Sequence, residues 1–135
     1  MKAIVFDLDG TLIDSAPDIH LAGNKVLAAE GLPLVSFEQS RGFVGHGAGV
    51  LIERMIAAVG ADPARHAAML AQFLQHYETA VHQTTLYPNV QNALTALQKD
   101  GWALAICTNK PVAPTRAVLA HFGMLQMFPV IFGGD

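Results

Sequence analysis

Lys2-Ala-Ile-Val-Phe-Asp7-Leu8-Asp9-Gly10-Thr11-Leu12 is the stretch that decides the fold. Its first half is a short apolar run ending in an acid, the pattern of a buried strand. Its second half sets two carboxylates two residues apart just past that strand, with a glycine for the turn. Residues so spaced point the same way in an extended segment, so Asp7 and Asp9 can converge on one point. Two carboxylates that close repel each other unless a cation or a proton relieves them, and oxygen ligands of this kind favour a hard ion such as Mg²⁺. A turn at Gly10 is expected to aim backbone N–H groups at the same point. Four of the eleven acids (Asp7, Asp9, Asp14, Asp18) fall within the first 18 residues, which strengthens the case for a cation. The competing reading is an acidic turn in which Asp9 or Asp14 caps a helix. The apolar strand before the pair and Gly10-Thr11 after it weigh against that.

Two further apolar runs have the same form. Trp102–Cys107 ends in Thr108-Asn109, and Pro129–Phe132 ends in Gly133-Gly134-Asp135. Three such strands with polar or glycine residues at their carboxyl ends suit a parallel sheet. Pro88 opens a helix in which Val90, Ala93, Leu94 and Leu97 keep one face, and Pro111 opens another to about His121. The order is that of an α/β protein with a doubly wound, Rossmann-like parallel sheet. Residues 14–86 read differently, with no convincing strand. Ser15 is placed to cap a first helix, and Ser36 with Gln39 makes a capping box. Leu51, Met55, Ala58 and Val59 share a face, and Asp62-Pro63 starts a helix carrying Leu70, Phe73, Leu74, Tyr77 and Val81. The expected division is an α/β core of residues 1–13 and 87–135 with an all-helical cap of residues 14–86 inserted in it.

The chain has 135 residues, 52% hydrophobic and only 14% charged, against roughly 25% charged in an average domain. No apolar run approaches the roughly 18 residues of a membrane span, and none at the N-terminus suits a secretory signal. Net charge is −3, which argues against a basic nucleic-acid footprint. The single cysteine, Cys107, allows no internal disulfide or cysteine-based zinc cluster and reads as a core residue of its strand. These features point to a cytoplasmic globular protein that buries much of its surface, with neither nucleic acid nor a membrane as partner.

Asp7–Leu12 resembles DxDGT, the first motif of the haloacid dehalogenase-like hydrolase superfamily, and Thr108 looks like the Thr or Ser of its second. Within the superfamily, Asp7–Pro17 (DLDGTLIDSAP), Gly45–Gly47 (GHG), Thr108–Pro111 (TNKP) and Gly133–Asp135 (GGD) are most similar to the phosphoglycolate phosphatases. The resemblance spans the whole chain, cap included. It implies that Asp7 is the nucleophile, forming an aspartyl-phosphate and binding Mg²⁺ through its carboxylate. Asp9 would be the general acid and then the base, with its backbone carbonyl on the metal. Gly10, Thr11, Thr108 and Asn109 would bind phosphate, helped by amides at the start of the Pro111 helix. Lys110 either adds a cation there or is solvated. Gly45, His46 and Gly47, in a loop that lacks the strand and spacing of a dinucleotide fingerprint, would receive the substrate's distal carboxylate. The other reading of His46 is an exposed loop residue. The remaining five histidines are expected at surface or boundary positions, and Arg41 and Arg54 on solvated helix faces.

The family pattern also has a lysine and an acidic motif beyond its GGD, which this chain does not contain. The resemblance therefore implies the N-terminal part of a longer Mg²⁺-dependent phosphatase acting on a small phosphate monoester, with little activity on its own. Lys2–Phe6 is then expected to form an exposed apolar edge. Two other functions fit the same residues. One is a phosphosugar mutase of the β-phosphoglucomutase type; the other is a non-catalytic binding or assembly module. Oligomeric state is left open.

Overall fold

The computed structural model describes all residues from Met1 to Asp135. Strands β1 (Lys2–Phe6), β4 (Trp102–Cys107) and β5 (Val130–Phe132) form a parallel sheet in the order β1-β4-β5. Lys2 stands beside Trp102 and Phe6 beside Ile106, while Ala105 and Cys107 pair with Val130 and Phe132. The crossover helices are α5 (Val90–Lys99) into β4 and α6 (Val112–His121) into β5. Both connections step across the sheet in the same direction, so right-handed crossover puts both helices on one face. Leu104 and Ile106 point to that face and pack with Leu94, Val118, Leu119, Met124 and Phe128. The opposite face carries Val5, Val130 and Phe132, which stay 64%, 47% and 67% exposed. Cys107 belongs to this second face by the two-residue alternation of a strand, and it is exposed rather than a core residue. Strand β1 is an edge, as the family resemblance implies for Lys2–Phe6, and it is more exposed than the buried strand its apolar run suggests.

Between β1 and β4 lie α1 (Ala16–Ala29), α2 (Phe37–Phe43), α3 (Ala48–Val59) and α4 (His66–Tyr77). They enclose their own apolar cluster, in which Ile19, Val26, Ile52, Met55, Met69 and Phe73 are buried. Ser36 and Gln39 form the expected capping box of α2. Helix α4 is shorter than its apolar stripe suggests. It starts after a 3-10 turn at Pro63–Arg65, where the Asp62 side chain accepts the Ala64 N–H, and it stops at Tyr77. Val81 has left the helix to pack on the sheet's cluster instead. His20 and His66 are tied inward, His20 to the Ser40 hydroxyl and His66 to the Gly49 carbonyl, each at 2.8 Å.

The two passages between sheet and helices are joined by a ribbon that periodicity does not reveal. Strand β2 (Ile13–Asp14) pairs antiparallel with β3 (Thr85–Leu86), and two residues are too few to show an alternation. Beside it, Asp18 is 5% exposed. One oxygen, Oδ2, accepts the Gln83 N–H at 3.0 Å and the Thr84 hydroxyl at 2.6 Å. A charged acceptor serving two donors in a dry site contributes more than a neutral bond. Asp18→Ala is expected to cost about 2–3 kcal/mol, read from the urea unfolding midpoint. A loss below about 0.5 kcal/mol, the range of a neutral surface change, would show that the clamp contributes nothing.

Candidate active site

The first part of the site is the turn that follows β1. Leu8 is fully buried, so its neighbours Asp7 and Asp9 are driven to the opposite side. The Leu8 carbonyl accepts the amides of Thr11, Leu12 and Ile13 at 3.1, 2.9 and 3.2 Å, which closes a tight knot. Gly10 takes φ +78° within it, a conformation that favours glycine. The knot consumes its own donors. The Gly10 N–H bonds the Ile13 carbonyl at 2.9 Å and the Thr11 N–H bonds Leu8. The amides expected to face a ligand therefore turn inward. Gly10 borders a second hollow shared with Asp9, Asp14, Arg41 and Tyr87, and Thr11 is exposed, so neither lines the cleft that holds both acids.

The second part is the loop after β4. Thr108 is 8% exposed and its N–H bonds the Phe132 carbonyl at 2.9 Å. Its hydroxyl oxygen accepts the Lys110 N–H at 3.1 Å, so that amide too is satisfied within the loop. The Asn109 side-chain amide donates to the Gly45 carbonyl at 3.1 Å, which docks the 45–47 loop on the sheet side. Pro111 cannot donate at the start of α6. The Val112 N–H is capped by the Asp135 carboxylate at 2.8 Å. A Cβ on Gly134 would lie 2.2 Å from the Asn109 carbonyl oxygen. The Gly133–Asp135 segment thus supports the Asn109 loop from behind. Gly134→Ala is expected to displace that loop and cost about 1–3 kcal/mol, the range for overpacking. Its check is the unfolding midpoint together with amide exchange at Asn109 and Lys110; an unchanged midpoint and exchange would contradict the contact.

Lys110 is not solvated. Its side chain is 3% exposed and its Nζ lies 3.2 Å from Asp9 Oδ1, donates to the Tyr77 hydroxyl and is 4.1 Å from the centre of the Tyr77 ring. Burial pushes the Lys110 ammonium below the usual lysine range, against the upward pull of Asp9. Burial also raises the Tyr77 phenol well above its ordinary value, aided by the negative charges of Asp9 and Asp18. Asp9 Oδ1 accepts a second bond, from the Ser15 hydroxyl at 2.5 Å. Ser15 occupies the N-cap position of α1 but makes no side-chain cap there, because its hydroxyl turns to Asp9. Asp7 is more open, and its Oδ1 accepts the Leu8 N–H at 2.7 Å.

One cleft brings together Asp7, Asp9, Thr108, Asn109 and Lys110 with Gly45, Gly47 and Tyr77. His46 is exposed and borders a different hollow, so it does not face the two acids. Tyr77 and Ser15 were not singled out as site residues by sequence pattern. The signal available for Tyr77 was a polar tip ending the apolar face of α4, four residues after Phe73. For a divalent ion the donor set is Asp7 and Asp9, and no group of three or more acidic, histidine or cysteine side chains stands together. Mg²⁺ commonly takes one or two carboxylates and completes its shell with water and substrate oxygens, so these residues fit that pattern.

The haloacid dehalogenase-like hydrolase family model matches residues 4–135. A protein named phosphoglycolate phosphatase in Cereibacter sphaeroides (strain ATCC 17025) is 49% identical over 140 residues, covering 100% of this chain and 63% of that protein. One of the same name in Vibrio cholerae is 40% identical over 141 residues, covering 100% and 62%. The crystal structure of a predicted phosphoglycolate phosphatase from Haemophilus somnus superposes with a TM-score of 0.92 at 34% identity, over 100% of this chain and 63% of that one. CbbY from Rhodobacter sphaeroides, solved with phosphate, shares the fold at TM-score 0.83 and 24% identity, over 100% and 64%. The chain thus spans a little under two thirds of the length of these relatives. With its motif, its parallel sheet and its inserted helices, the chain belongs to the haloacid dehalogenase-like hydrolase family.

Proposed function

We propose that this chain carries the nucleophile and the acid–base group of a cytoplasmic, Mg²⁺-dependent phosphatase for a small phosphate monoester, with 2-phosphoglycolate as the favoured substrate. The observation that carries the reading is the convergence of Asp7 and Asp9 with Thr108 and a buried lysine in one cleft. The relatives' shared name supports the substrate. The reading includes a core of residues 1–13 and 87–135 with a cap of residues 14–86, in line with two separate apolar clusters.

In this mechanism an Asp7 oxygen attacks phosphorus while Asp9 hands its proton to the departing alkoxide oxygen, leaving an aspartyl-phosphate. Asp9 then takes a proton from water, whose oxygen attacks the same phosphorus and returns Asp7 as carboxylate with free phosphate. Thr108 and Asn109 orient the phosphoryl oxygens, and Lys110 offsets their charge. The Asp7 carboxylate and Asp9 carbonyl would hold Mg²⁺, which when bound adds positive charge at the phosphoryl group. Gly10 and Thr11 shape the turn, and Gly45 and Gly47 close the cleft. The test is Mg²⁺-dependent phosphate release from 2-phosphoglycolate, using a chain completed to the length of the relatives. No turnover of that ester or of any small phosphate monoester would sink the reading.

A further inference from the structure

Lys110 is a charged side chain with almost no access to water, at 3% exposure. A buried ammonium persists only where partners replace its hydration. Three contacts do so: Asp9 Oδ1 at 3.2 Å, the Tyr77 hydroxyl oxygen, and the hydroxyl end of the Tyr77 ring, whose centre is 4.1 Å away. Two of the three come from one residue of the helical insert, the last of α4. Tyr77 is itself fixed. It is 4% exposed, and Phe73, one turn earlier, stands 4.9 Å away ring to ring. A lysine stem has four torsions and, given a route, carries its ammonium to water. The phenol and its ring close that route over the loop that follows β4.

We propose that Tyr77 is a positioning residue contributed by the helical insert, holding the Lys110 ammonium against Asp9 where a phosphate monoester needs a positive charge. Its placement of the ammonium stands on geometry, while the ligand rests on the phosphatase reading above. Because Tyr77 ends α4 of the helical insert and Lys110 lies in the loop after β4, the same contact ties the charge of the site to the seating of the insert. The hydroxyl and the ring have separable roles. The hydroxyl accepts a charge-assisted hydrogen bond, and the ring shields the ammonium from water.

The test uses the intact protein and trace acetic anhydride, with acetylation of each lysine read by peptide mass. Exposed Lys25 and Lys99 serve as internal standards. Lys110 is expected to react slowest in the wild type. Tyr77→Phe keeps the ring and should raise the Lys110 rate about tenfold, the effect of losing one charge-assisted bond; Tyr77→Leu should raise it further. An unchanged Lys110 rate in Tyr77→Phe overturns the proposal, and this variant decides the matter if Tyr77→Leu fails to fold. The second readout is kcat/KM for 2-phosphoglycolate. Tyr77→Phe should lower it about tenfold in the wild-type background and not at all in a Lys110→Met background. An equal fractional loss in both backgrounds would assign Tyr77 to packing alone and overturn the proposal. A wild type that turns over no phosphate monoester would sink the phosphatase reading, yet the acetylation rates still decide where Tyr77 holds the ammonium.

Discussion

In a chain completed to the length of the relatives, Asp7→Asn is expected to abolish phosphate release, lowering kcat by at least about 10⁴-fold, the scale seen when a nucleophile is removed. The amide has nearly the shape of the carboxylate but lacks the charge and the nucleophilic oxygen that the mechanism requires. Stability should barely move. The one bond that Asp7 makes within the chain is from the Leu8 N–H to its Oδ1 at 2.7 Å, and an asparagine oxygen accepts that bond equally well. A change in unfolding free energy within about 0.5 kcal/mol is expected, as for an open position. The two measurements together separate a chemical defect from a folding defect. Retention of a tenth or more of the wild-type rate would rule Asp7 out as the nucleophile.

Asp9→Asn should lower turnover by about 10²–10⁴-fold, the usual range for a lost general acid–base group. Its effect on the fold is expected to differ from that of Asp7→Asn. Asp9 Oδ1 accepts from Ser15 and from Lys110, and the two charged side chains are 11% and 3% exposed. The asparagine oxygen still accepts both bonds, but the lysine loses its counter-charge in a place water does not reach. Breaking a buried pair by removing one partner typically costs about 3–5 kcal/mol, and retained hydrogen bonding should bring this near the lower end. Adding Lys110→Met to Asp9→Asn removes the stranded ammonium and should recover much of that loss. Undiminished turnover in Asp9→Asn would end its assignment as acid and base. Unchanged stability would mean that the ammonium finds another anion.

The sequence was most legible where function is local in the chain. Asp7 and Asp9 fall on one side because a single buried leucine separates them, and Thr108 sits at the end of a strand visible as an apolar run. Strands β1 and β4 match their apolar runs residue for residue, and β5 begins one residue later than expected. The misses share a cause. Val81 continues an apolar stripe but belongs to another cluster, and Cys107 lies in an apolar strand but faces outward. Apolar pattern reports that a side chain avoids water or tolerates burial; it does not report which surface covers it.

By itself the sequence determined the class of fold, the position of the helical insert and the two acids that meet in the candidate cleft. Each of these follows from short local runs of the chain and the order in which they come. Tertiary structure alone decided which backbone amides are free, how Ser15 and Asp18 bond, and that Lys110 is buried under Tyr77. The Asp18–Thr84 bond joins residues 66 apart and the Lys110–Tyr77 bond joins residues 33 apart. Such bonds depend on directions and distances that arise only when the insert folds back on the sheet, and no local periodicity encodes them. The opening stretch therefore places Asp7 and Asp9 together, while the distant chain decides which cation Asp9 meets.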